Sequence, residues 1–65
     1  MTLMDIYNHC PGDQQLVYTY TGDSGSISRY RMAAEIANDK HRHYIITHLF
    51  CANSIMYAKV VAPGD

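Results

Sequence analysis

At 65 residues the chain has room for one domain and one small core, and so short a chain stays marginal unless a second subunit or a bound partner reinforces it. Hydrophobic residues make up 48% and charged residues 17%, which excludes a disordered chain, and no apolar run approaches the roughly 20 residues of a membrane-spanning helix. The formal net charge of −1 is unevenly placed: residues 1–25 hold Asp5, Asp13 and Asp23 with no Lys or Arg, whereas residues 26–65 set Arg29, Arg31, Lys40, Arg42 and Lys59 against Glu35, Asp39 and Asp65.

The chain reads as one domain over 1–65, with residues 1–13 as an N-terminal extension or short helix and 14–62 as the core. In residues 2–9, Thr2 and Asp5 have capping-box spacing, and Leu3, Ile6 and Tyr7 then share a helical face. Pro11-Gly12-Asp13 ends this segment with a turn. Residues 16–21 are open to two readings. Leu-Val-Tyr-Thr-Tyr-Thr is rich in strand formers and alternates Leu16, Tyr18 and Tyr20, yet on a helix Leu16, Val17 and Tyr20 also share a side. Gly22-Asp23-Ser24-Gly25 is a loop. From Ser28 to Ala37 the sequence predicts a helix, with Ser28 as N-cap, Met32, Ala33 and Ile36 on one face, and alanines that favour it; Asn38-Asp39 breaks it.

Residues 40–52 are again open to two readings. As a strand, neither face is cleanly apolar. As a helix, Ile45, Leu49 and Ala52 line one side with Lys40, His43 and Thr47 opposite, Asp39 capping the start and Asn53 ending it in a left-handed conformation. The polarity partition favours the helix; the poor helix propensity of Tyr-Ile-Ile-Thr opposes it. Residues 55–61 read as a strand.

These spacings resemble a winged helix-turn-helix domain over about residues 14–62. Ser28 followed by Met32-Ala33 matches the opening of that family's second helix, Ile45 and Leu49 the apolar pair of its recognition helix, and Ile55 the first wing strand. Asn53 stands where the family commonly has Gly, the first helix is unusually rich in Tyr and Thr, and the wing is cut to a single strand that has to pair near Ser26-Ile27 or with another subunit. The resemblance implies a small mainly-α domain with a C-terminal β-wing. Its implied function is DNA binding, as a transcriptional regulator of mobile-element or bacterial type that reads the major groove of double-stranded DNA with helix 40–52. His43, Tyr44 and Thr47 would then face base edges, Lys40 and Arg42 phosphates or guanine, and Arg29, Arg31 and Lys59 backbone phosphates. So few cations make a monomer a weak binder, so a homodimer is expected, with Tyr30, Ala34 and Phe50 as candidate interface residues.

Catalysis and metal binding find little support. His41 and His43 are two apart and His48 and Cys51 three apart, and on a helix the latter pair could share one metal, but there is no Cys-x-x-Cys and the remaining ligands would come from separate elements, so no metal or other cofactor is expected. The Gly22-Asp23-Ser24-Gly25 loop resembles the nucleophile loop of trypsin-like proteases, but a triad needs a scaffold this chain lacks, and His9 beside Cys10 is no better placed; no enzyme is expected. Cys10 and Cys51 form no disulfide framework, and residues 1–15 lack a basic start with an apolar run, so the expected setting is the cytoplasm, with reduced thiols and no membrane contact.

The competing reading is an α+β two-layer β-α-β-β sandwich: residues 15–21, 43–51 and 55–61 form an antiparallel sheet, covered on one face by helix 28–38. Its function would be that of a non-enzymatic inhibitor or adaptor of phage type, docking on a host protein through Tyr18, Tyr20, Tyr44 and Tyr57.

Overall fold

The computed structural model describes residues 1–64. The chain runs through helix α1 (Leu3–His9), strands β1 (Gln15–Gly22) and β2 (Gly25–Met32), a 3₁₀ helix (Ala33–Asn38), and strands β3 (Ile45–Ala52) and β4 (Ile55–Val61). It is a small α+β domain with one mixed four-stranded sheet, ordered β2-β1-β4-β3. Each half of the chain contributes an antiparallel hairpin, and the two meet where β1 runs parallel to β4, Gln15 opposite Ile55 through Thr19 opposite Lys59. Among the described residues no helix is long and apolar enough to cross a membrane.

Local chemistry explains both hairpins. Asn53 (φ 52) and Ser54 (φ 66) are both left-handed, the requirement of the two-residue type I′ turn whose twist matches the flanking strands. Asp23-Ser24 makes the other connection and leaves Gly25 at φ 118, a conformation that an L-residue side chain rarely adopts.

Strand alternation then sorts the side chains. Leu16 and Tyr18 of β1 and Ala58 and Val60 of β4 turn to one face, where Leu3 and Ile6 of α1 and Ala33 and Ile36 of the 3₁₀ helix cover them as a single core. The Thr2 amide donates to the Asp5 carboxylate at 2.8 Å, fixing the start of α1 as the capping-box spacing predicts. The lead-in to α1 is tied to the other end of the sheet: Leu3 N–H donates to Tyr44 C=O (3.2 Å), Met4 N–H to Arg42 C=O (3.0 Å) and Ile46 N–H to Met1 C=O (2.8 Å), with a Thr2–Ile45 bridge on the outer side of β3.

This architecture overturns the winged helix-turn-helix resemblance and the mainly-α class with it. Residues 15–22 are a strand, so the β-formers decide that segment. The helix expected from Ser28 to Ala37 is strand β2 followed by a 3₁₀ helix: its apolar face consisted of Met32, Ala33 and Ile36, and only Ala33 and Ile36 are buried, a three-residue interval that a 3₁₀ turn serves as well. The recognition helix over 40–52 is absent. Residues 40–44 form a turn, with Arg42 N–H donating to Asp39 C=O and Tyr44 N–H to His41 C=O, and β3 follows. The wing strand pairs with neither Ser26-Ile27 nor another subunit but lies between β1 and β3. The two-layer alternative describes the class better, but its details differ: the covering helix expected over 28–38 is the end of a fourth strand, residues 25–32, followed by the 3₁₀ helix, α1 shares in covering the sheet, and the central pair is parallel.

Candidate functional site

Among the described residues, no element covers the face of the sheet opposite the helices. The register aligns Tyr30 with Val17, Val17 with Tyr57, and Tyr57 with Phe50, a row that crosses all four strands. Phe50 stacks on Tyr57 with ring centroids 5.1 Å apart and planes 14° from parallel, and Phe50 and Tyr30 remain 61% and 50% exposed. The next row reads Ser28, Thr19, Lys59 and His48, with the Ser28 and Thr19 hydroxyls 2.8 Å apart. Val17, Thr19, His48, Phe50, Tyr57 and Lys59 line a shallow hollow of about 420 Å³ between the rows. Thr47 is the extra residue of a bulge in β3, and its hydroxyl donates to the Lys59 carbonyl at 3.1 Å. The face therefore offers one permanent cation, one histidine and, among the described strand residues, no carboxylate.

The covered side holds a second cluster. Tyr18 donates its hydroxyl proton to Asp39 Oδ2 at 2.7 Å, the His41 amide donates to Asp39 Oδ1 at 2.7 Å, and Arg31 Nε donates to Oδ2 at 3.2 Å. Tyr18 has only one proton and gives it to Asp39, so its 3.2 Å contact with His41 Nδ1 requires that nitrogen to carry the hydrogen. The His41 ring lies 4.2 Å from that of Tyr20 and meets Tyr44 edge-on at 4.8 Å. Burial pushes the Asp39 carboxyl up, but the His41 amide, the Tyr18 hydroxyl, and the charges of His41 and Arg31 outweigh it and hold the group below its ordinary value. Burial and the neighbouring Asp39 push Tyr18 well above the ordinary tyrosine value. No buried side-chain polar atom among the described residues lacks a partner, so this cluster ties the 3₁₀ helix and the following turn to β1 and β2.

The eight residues assigned to DNA do not form one surface. Arg29, Arg31 and Lys40 line a cleft on the covered side beside Glu35 and Asp39. Arg42 Nη1 donates to the Asp39 carbonyl at 3.1 Å, His43 is exposed in the turn, and Tyr44 packs against the core. Thr47 and Lys59 belong to the open side. Of the candidate interface residues, Tyr30 and Phe50 stand at opposite ends of the aromatic row, and Ala34 is exposed on the 3₁₀ helix. Of the four tyrosines offered as docking anchors, Tyr18 is fully buried, Tyr20 and Tyr44 pack around His41, and Tyr57 alone joins the open face. Sequence reasoning missed Val17 and Thr19; the alternation Leu16, Tyr18, Tyr20 places both on the other side once residues 15–21 are a strand. It also took Asp39 for the breaker of one helix and the cap of the next, and no sequence signal points to its burial beside Tyr18.

Among the described residues no three His, Cys, Asp or Glu side chains gather as metal ligands. Comparisons with protein-family models, curated proteins and solved structures give no match for this chain.

Proposed function

We propose that this protein is a non-enzymatic protein-binding module that docks on a larger partner through the open face of its sheet. The observation that carries this reading is the uncovered row Tyr30, Val17, Tyr57 and Phe50, whose two ends, Tyr30 and Phe50, are exposed while Val17 and Tyr57 between them are half-buried. Leaving such groups in water is unfavourable, and aromatic side chains clustered on one surface are the commonest anchors of protein interfaces. Four strands at ~4.8 Å and about seven residues at ~3.3 Å give a footprint of about 450 Å². Protruding side chains raise its accessible area toward the roughly 800 Å² that each partner contributes to a standard interface.

Charge states what the partner looks like. Lys59 and His48 flank the aromatic row with no carboxylate beside them among the described residues, so the complementary surface is apolar at its centre with Asp or Glu at its rim. A single-stranded nucleic acid also stacks on aromatic platforms, but it needs a cationic groove along its backbone. With Lys59 as the face's one permanent cation, about one phosphate is neutralised, too little to hold a strand at physiological salt.

The test compares variants against a partner captured from cell extract and then purified. Tyr30→Ser and Lys59→Glu are expected to weaken its direct binding, measured by calorimetry, at least tenfold, whereas Arg29→Ser and Lys40→Ser on the other side leave it unchanged. The reverse pattern, or single-stranded oligonucleotide binding whose affinity falls steeply with salt, overturns the reading.

A further inference from the structure

The outer edge of β3 is open only in part. The Met1–Thr2 segment covers it at Ile45 and Ile46, leaving Thr47 to Ala52 with the backbone groups of alternate residues turned outward and, among the described residues, no strand beside them. Edge strands are normally guarded by charge, proline or distortion. The other edge, β2, carries Arg29 and Arg31; residues 47–52 contain no Lys, Arg, Asp, Glu or Pro, and their bulge sits at the first position, Thr47. Apolar side chains also stand out on both faces of this edge, Leu49 (40% exposed) on the helix side and Phe50 (61%) on the open side. Such a strip of backbone and apolar side chains is recognised by another β-strand.

We infer that the strand added here is β3 of a second copy of the chain, antiparallel and centred on Phe50. In an antiparallel pair opposed residues share a face, so a two-fold axis through the sheet must pass through a residue position and not between two. Centring on Leu49 sets the Thr47 bulge against Cys51, where the ladder is interrupted. Centring on Phe50 uses only residues 48–52: Phe50 meets its own counterpart, Leu49 meets Cys51, and His48 meets Ala52. No two like permanent charges face each other in this register. The two sheets become one of eight strands, and the aromatic rows join end to end through the paired phenylalanines. On the helix side, the incoming strand borders a groove between α1 and β3, lined by Met1, Ile6, Cys10, Leu49 and Met56 together with Asp5 and His9 of α1. Five paired residues span only about 17 Å. The buried area falls below the ~1,200 Å² of stable interfaces, so the dimer is concentration-dependent and not obligate.

This inference does not rest on the docking reading, and its test uses residues that the other test leaves alone. Sedimentation velocity across the micromolar range is expected to show the mass rising from monomer to dimer, and Cys51→Lys, which puts a charge on the edge away from the open face, to raise the midpoint concentration at least tenfold. In a Cys10→Ser, Cys51→Ser background, Phe50→Cys places two thiols across the axis within disulfide reach, and air oxidation is expected to link them much faster than Ser28→Cys on the β2 edge. A wild-type protein that stays monomeric throughout, or equal linking at positions 50 and 28, overturns the inference.

Discussion

Replacing Tyr18 with phenylalanine deletes one oxygen from the Asp39 cluster and leaves the packed ring in place. The lost hydroxyl donates to Asp39 Oδ2 at 2.7 Å and contacts His41 Nδ1 at 3.2 Å, and Tyr18, Asp39 and His41 are 0%, 7% and 5% exposed. A hydrogen bond to a charged group contributes about 1.5–3 kcal/mol, more than a neutral pair, because the abandoned carboxylate cannot turn to water. Asp39 keeps the His41 amide and Arg31, which argues for the middle of that range, about 2 kcal/mol. In a domain of this size that lowers Tm by about 15 °C. The assay is urea unfolding followed by circular dichroism, near neutrality and again in acid. Asp39 has a folded pKa below its unfolded value, so its contribution is complete above the unfolded value and disappears as pH falls through the folded one. The difference between wild type and Tyr18→Phe should therefore shrink in acid. A neutral-pH difference under about 0.5 kcal/mol, the ordinary scatter of surface substitutions, refutes the assignment of this cluster as a clamp.

At alkaline pH the sign reverses: Tyr18 has a raised folded pKa, so its contribution is complete below the unfolded value near 10 and is lost as pH climbs toward the folded one, visible as wild type approaching Tyr18→Phe in stability. Ser54→Gly places the preferred residue at φ 66 of the β3–β4 turn and is expected to stabilise by up to about 1 kcal/mol in thermal melts, with the Gln14 side chain still donating to the residue-54 carbonyl. Gly25→Ala, at φ 118 with no heavy atom within 4 Å of the new methyl, is expected to cost about 1–3 kcal/mol from backbone strain alone. Gly22→Ala displaces only the flexible tip of Ile27, 2.5 Å from the added carbon, and is expected to cost less than Gly25→Ala in the same melts.

What could be read in advance follows from where each segment lies. Helix α1 was legible from Thr2 and Asp5, and β4 from its run of β-formers between turn residues. Asn53 was correctly placed in the left-handed region, but it closes a hairpin and not a helix. β3 misled because it is an edge strand with neither face fully covered: only Ile46 of its eight residues is even half-buried, so no alternation marked it and the helical partition looked cleaner. Residues 28–37 misled because burial of Ala33 and Ile36 mimics a helical face, while Arg29 and Arg31 are spaced by the strand's period of two. Tyr30 and Phe50 were noticed singly as contact residues. Their alignment through Val17 and Tyr57 is a product of register across the sheet, which no local spacing encodes.

The parallel meeting of β1 and β4 sets the pace at which this chain finds its native state. Either hairpin can zip on its own in microseconds, but each alone is a two-stranded ribbon without a core. Bringing Gln15 beside Ile55 closes most of the polypeptide into one loop, and that entropy is spent before Leu16, Tyr18, Ala58 and Val60 share a hydrophobic interior. Docking of the two preformed halves is the slow step, so both turns are already made in the transition state: substitutions inside either turn should change the folding rate more than the unfolding rate, and those in contacts completed only after docking should do the opposite.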